Sequence, residues 1–107
     1  MKSFKSKSDE PYDEFYASLK LVSGEEILAL VVVDNTLATP INQNPLSLGA
    51  DLVIHSATKF LCGHSDALGG LVCGHKEHID RIFHFREING ASLAPNAAYL
   101  ILRGMKT

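Results

Sequence analysis

An α/β fold is predicted by three observations. Three short runs, "ILALVVVDN" from Ile27, "ADLVIHS" from Ala50 and "LGGLVCG" from Leu68, are apolar at successive positions, as strands covered on both faces are. Segments with helical punctuation separate and follow them, opening on proline and closing on glycine. The order strand, helix, strand, glycine loop, strand, helix, helix leaves connections long enough for parallel neighbours.

The elements follow in turn. Residues 1 to about 25 are polar, and Tyr12, Phe15, Tyr16, Leu19 and Val22 are spaced to line one face of a short amphipathic helix that Gly24 ends. "TPINQNPLSLG" places Pro40 and Pro45 at helix starts and Gly49 at a stop. Gly69 and Gly70 lead the third strand, where missing side chains predict a close backbone approach. "KEHIDRIFHFREING" carries Ile79, Ile82, Phe83, Phe85 and Ile88 before Asn89-Gly90 closes it, and "PNAAYLILRGMKT" opens a last helix at Pro95.

Composition narrows the function classes. With 107 residues the chain is one small domain or a piece of a larger one. Hydrophobic residues at 46% and charged residues at 21% are globular values and argue against disorder. Ten basic and twelve acidic residues give a net charge of −2, which argues against nucleic acid as a partner. The Lys2, Lys5 and Lys7 cluster runs at once into Asp9, Glu10, Asp13 and Glu14 and reads as a solvated terminus. The longest apolar run, Ile27–Val33, falls far short of the ~18 residues that span a bilayer, so no membrane partner is expected. Cys62 and Cys73 lack CxxC spacing, which predicts free thiols in a reducing compartment. The five histidines match no zinc spacing, so no metal site is expected.

The chemistry gathers at strand ends, where open α/β sheets bind ligands. Asp34 ends the first strand and Ser56 the second, with Thr58 and Lys59 directly after. If the two strands are neighbours, a carboxylate, an amine and two hydroxyls converge on one crevice. That set suits pyridoxal phosphate, which needs a Schiff-base lysine, an anion at its ring nitrogen and donors for its phosphate. "SATK" is also a Ser-x-x-Lys string, as in serine acyl-transferases of the penicillin-binding type. Ser65-Asp66 continues to alanine rather than asparagine, and Lys106-Thr107 ends the sequence, so the companion motifs of that class are missing.

"VVVDNTLATPINQNPLSLGADLVIHSATKFLCGHSDALGGLVCG" resembles the pyridoxal-phosphate enzymes of cysteine and methionine metabolism, a family that contains cystathionine γ-synthase, cystathionine γ- and β-lyases and methionine γ-lyase. The resemblance covers Val31 to Thr107, and "PNAAYLILRGMKT" leans towards the γ-synthases. It implies the central slice of the mostly parallel-sheet cofactor domain of a fold-type I pyridoxal-phosphate enzyme, with residues 1–30 an unmatched polar leader and 31–107 a partial cofactor-binding domain. By motif it makes Lys59 the Schiff-base lysine and Asp34 the partner of the pyridine nitrogen. Ser56 and Thr58 become phosphate-binding hydroxyls, and Thr36 a residue close to the ring.

Cys62 stands where a small residue such as glycine is common, and Ala94 where Asp or Asn often precedes the proline. The implied activity is γ-replacement or γ-elimination on a homoserine ester or cystathionine. The implied partners are a small amino-acid substrate and further copies of the chain, full-length relatives being tetramers. The implied compartment is the cytoplasm, or a plastid for a plant sequence. A rival reading is a catalytically inactive fragment of such an enzyme.

Overall fold

The computed structural model describes residues 17–20 and 23–107. In chain order the elements are β1 (Ala17–Lys20), β2 (Glu26–Ala29), β3 (Val32–Asp34), α1 (Thr39–Asn42), a 3₁₀ turn (Pro45–Leu48), β4 (Leu52–Ser56), β5 (Gly70–Gly74), α2 (Lys76–Asn89) and α3 (Pro95–Gly104). They form a two-stranded sheet, β1-β2, and a three-stranded sheet in the order β3-β4-β5.

The strand expected from Ile27 onward is two strands in two sheets. β2 pairs antiparallel with β1, Lys20 opposite Glu26, around a turn where Gly24 takes φ +91°. Leu19 therefore lies in a strand and not on the expected helix face, while Tyr12, Phe15, Tyr16 and Val22 lie outside the described residues. The break comes at Val31. Its N–H donates to the Asp51 carboxylate at 2.7 Å, and its carbonyl accepts from the N–H groups of Asp51 and Leu52. Once Val31 is tied to the start of β4, the residues after it must pair there.

β3 and β4 are parallel, as expected, with Val32, Val33 and Asp34 in register with Leu52, Val53 and Ile54. α1 and the 3₁₀ turn make the crossover. Pro45 opens the 3₁₀ turn, and Gly49 closes it at φ +90°, where a side chain would be strained. Thr39 also sits at φ +61°, a rare conformation for a β-branched residue. It is held there by its N–H on the Asn35 carbonyl and its carbonyl on the Gln43 N–H.

β5 differs from the expected parallel neighbour and runs antiparallel to β4, Gly70 opposite Ser56. The connection folds back on itself instead of crossing the sheet. Thr58 N–H donates to the Gly69 carbonyl at 3.3 Å, so β5 starts at the end where β4 stopped. The predicted close approach holds at Gly69, where a Cβ would lie 2.6 Å from the Ile101 side chain.

Val53 and His55 on one sheet face are buried. On the other face Leu52 is buried while Val32, Ile54 and Val72 are 50%, 37% and 40% exposed, so the expected cover of that face is only partial among the described residues. The core lies beyond the strand ends, where Ile101 of α3 packs with Ala57 and Cys62, flanked by Leu61, Ala67 and Leu71. α2 runs as predicted to a left-handed Gly90 but has no buried residue. α3 starts at Pro95 with Ala94 as its N-cap, which offers no side-chain hydrogen bond.

Candidate cofactor site

The sheet end that carries Asp34 and Ser56 is built by backbone direction. Both residues end parallel strands, so both point out of the same edge, and antiparallel Gly70 begins there. Asn35 extends the ladder by one bond, its N–H donating to the Ile54 carbonyl at 2.9 Å. Its side chain is 2% exposed and donates to the Gln43 carbonyl at 3.0 Å, fixing the loop that carries Thr36. Sequence reasoning passed over Asn35; its signal was a turn-forming amide directly after a strand-end carboxylate.

Thr36 joins the two strand ends. The Ser56 N–H donates to its hydroxyl oxygen at 2.8 Å, and its own N–H donates to Asp34 Oδ1 at 3.0 Å. Hydrogen bonds from the Thr36 hydroxyl and N–H hold the Asp34 carboxyl below its ordinary value, against a small opposing effect of burial. Asp34, Thr36 and Ser56 are thus brought together as expected. The Asp34 carboxylate is exposed and stays ionised at neutral pH.

Thr58 and Lys59 follow on a compact turn. Lys59 N–H donates to the Ser56 carbonyl, Cys62 N–H to Ala57, and Gly63 N–H to Lys59. The Thr58 hydroxyl donates to the Gly69 carbonyl at 3.4 Å and accepts from the Gly69 N–H at 3.1 Å. Its place is therefore at the foot of the loop, with its hydroxyl already engaged. Lys59 is exposed and lines a cavity of about 390 Å³ with Thr58, Ser65, Asp66, Ala67 and Leu68. Neither the Lys59 amine nor the Ser56 hydroxyl is hydrogen-bonded among the described residues, so both are available to a ligand.

The loop is pinned to α3. Arg103 Nη2 donates to Asp66 Oδ2, and the Cys62 thiol donates to Asp66 Oδ1 at 3.3 Å. The Arg103 bond chiefly holds the Asp66 carboxyl below its ordinary value. Gly104 is packed so tightly that a Cβ would fall 1.9 Å from the Cys62 carbonyl oxygen. Sequence reasoning missed Arg103 and Gly104, because the partners lie about 40 positions away and no local spacing joins them. Among the described residues no cluster of His, Cys, Asp and Glu suits a metal ion, and no helix is long and apolar enough to cross a membrane. Cys62 and Cys73 are free thiols, the first buried and the second exposed.

Known proteins carry the same stretch. A family model described as Cys/Met metabolism PLP-dependent enzyme, PLP being pyridoxal phosphate, matches residues 14–107. The chloroplastic cystathionine gamma-synthase 1 of Arabidopsis thaliana is 55% identical over 78 residues, covering 73% of this chain and 14% of that one. The L-methionine gamma-lyase of Pseudomonas putida is 53% identical over 81 residues, covering 74% and 20%. Among solved structures, the cystathionine gamma synthase of Xanthomonas oryzae pv. oryzae in complex with cystathionine superposes with a TM-score of 0.72 at 45% identity. It covers 74% of this chain and 21% of that one. The chain thus spans about a fifth or less of the length of these relatives. Match length, identity and superposed fold agree, and the chain belongs to the family of pyridoxal-phosphate-dependent enzymes of cysteine and methionine metabolism.

Proposed function

We propose that this chain is the cofactor-anchoring part of a transsulfuration enzyme. That enzyme replaces or eliminates the γ-substituent of an amino acid such as a homoserine ester or cystathionine, with γ-replacement favoured. The observation that carries the reading is the Thr36 bridge, which ties the carboxylate strand end to the hydroxyl and amine strand end. The residues present fit pyridoxal phosphate in kind: an ionised carboxylate and an unengaged hydroxyl at one sheet edge, and an unengaged amine on the turn that follows.

Lys59 holds the cofactor through its amine and, once released, carries the substrate Cα proton on Nζ. Asp34 keeps the ring nitrogen protonated, and Thr36 keeps Asp34 ionised and aimed. Ser56 binds phosphate, with Thr58 beside it exchanging its 3.4 Å bond for a phosphate oxygen. When bound, pyridoxal phosphate supplies the electron sink that makes loss of a Cα proton and of a γ-substituent feasible. The substrate carboxylate and the face of the ring need further groups, which we place in the rest of the enzyme and in a neighbouring subunit of a homo-oligomer. We place that enzyme in the cytoplasm, or in a plastid for a plant sequence.

A second reading is that this length of chain binds the cofactor without turnover. It is favoured by the share of the relatives' length that the chain spans, 14% to 21%. Adding pyridoxal phosphate to the purified chain, and recording the visible spectrum, the oligomeric state and cysteine-dependent turnover, separates the two. A shifted band supports the cofactor anchoring that both readings share, turnover by the chain overturns the second, and no band overturns both.

A further inference from the structure

The turn after Lys59 holds a conformation that one of its residues resists. Ser65 sits at φ +56°, in the left-handed region where glycine is unstrained and a residue with a Cβ is not. The chain is fixed on both sides of it. Gly63, itself at φ +70°, closes the turn with its N–H on the Lys59 carbonyl at 2.8 Å. His64 Nδ1 lies at hydrogen-bond distance, 2.7 Å, from the Cys62 carbonyl oxygen. Asp66 is held by the Arg103 guanidinium and by the Cys62 thiol at 3.3 Å. Glycine would take position 65 without strain, and strain of this kind is retained where a side chain serves a ligand.

That turn opens on a cavity. Ser65 lines a space of about 390 Å³ with Thr58, Lys59, Asp66, Ala67 and Leu68. Ser65 is exposed, and its hydroxyl is in no hydrogen bond among the described residues. In the same lining the Thr58 hydroxyl accepts from the Gly69 N–H at 3.1 Å and donates to the Gly69 carbonyl at a long 3.4 Å. Its proton is therefore weakly held and open to a stronger acceptor. Asp66, the lining's one carboxylate, has both oxygens engaged and is paired with Arg103, which offsets its charge towards an incoming anion.

We propose that the Ser65 hydroxyl is a further anchor for the cofactor phosphate, donating to one of its oxygens beside Thr58. The inference rests on the proposed function, in which Ser56 and Thr58 take the phosphate and Lys59 the aldehyde. A phosphate group offers three strong acceptor oxygens, and Ser56 and Thr58 supply two hydroxyl donors. Ser65 supplies the third. A neutral hydroxyl does so without placing another charge next to Lys59, and an O–H bond to an anionic oxygen is among the stronger hydrogen bonds.

The test uses the full chain as wild type, Ser65→Ala and Ser65→Gly, with inorganic phosphate, pyridoxal phosphate and pyridoxal as ligands. Inorganic phosphate is followed by amide NMR shifts, and the two aldehydes by the visible band. Ser65→Ala is expected to weaken inorganic phosphate and pyridoxal phosphate about tenfold and to leave pyridoxal unchanged. Ser65→Gly shows the same loss, while its urea midpoint rises above that of Ser65→Ala because the left-handed strain is gone. Unchanged phosphate affinity in Ser65→Ala overturns the proposal. So does an equal loss of pyridoxal, which marks a role in folding or at the ring, and so does a Ser65→Gly midpoint no higher than that of Ser65→Ala. Should Ser65→Ala not fold, the ligand series on Ser65→Gly still decides it. Weakened inorganic phosphate in the variants, with no attachment of pyridoxal phosphate to wild type, upholds the anchor and overturns the proposed function. Attachment with unchanged phosphate affinity does the reverse, and a wild type that takes neither ligand overturns both.

Discussion

Thr36 is the residue on which the strand-end geometry turns, because it bonds to the ends of both strands at once. Thr36→Val keeps the shape and the backbone N–H bond to Asp34, but leaves the Ser56 N–H without its acceptor and Asp34 without the Thr36 hydroxyl. We expect a loss of about 1 kcal/mol in urea unfolding, with the Asp34 carboxyl returning towards its ordinary value in an NMR titration. Asp34 and Asp66 both titrate below that value in the folded chain. The stability they lend is therefore complete above about pH 3.9, the ordinary value for Asp, and is withdrawn as pH falls through their lower folded values. Acid unfolding followed by circular dichroism should steepen below about pH 4 and flatten in a variant with both changed to Asn. At this scale the meeting of Asp34, Thr36 and Ser56 was readable because their types and order are specific. Arg103 was not, since its partner Asp66 is 37 positions away and nothing near Arg103 marks it as more than a helix-end cation.

The helices were legible wherever proline and glycine punctuate them, as in α2 with its left-handed Gly90 and α3 with its opening Pro95. The parallel β3-β4 pair was legible because both strands are unbroken apolar runs. The direction of β5 was not, since it depends on the Thr58–Gly69 bonds folding the loop back. Nor was the β1-β2 hairpin, whose four-residue strands are too short to distinguish a period of two from one of 3.6. The seating of α3 has a sharp consequence. Gly104→Ala would drive a methyl into the Cys62 carbonyl, and undocking α3 should cost about 3 kcal/mol, read as a lowered urea midpoint. Gly90→Ala meets nothing within 4 Å and pays only for its φ of +68°, so a loss of about 1 kcal/mol is expected there. Equal losses at the two positions would contradict the packing described for α3.

For the molecule as a whole, the exposure of Val32, Ile54 and Val72 on one sheet face predicts binding of a hydrophobic dye. Ile54→Ser should weaken dye fluorescence without unfolding the sheet, since Ile54 is 37% exposed in place. Function at this scale depends on one arrangement, the ends of β3 and β4 opening on the same edge. The most direct measurement is borohydride trapping of pyridoxal phosphate on the full chain, followed by peptide mass spectrometry. The account predicts the adduct on Lys59, weakened in Asp34→Asn and abolished in Lys59→Ala. An adduct spread over other lysines, or one that persists in Lys59→Ala, would contradict it.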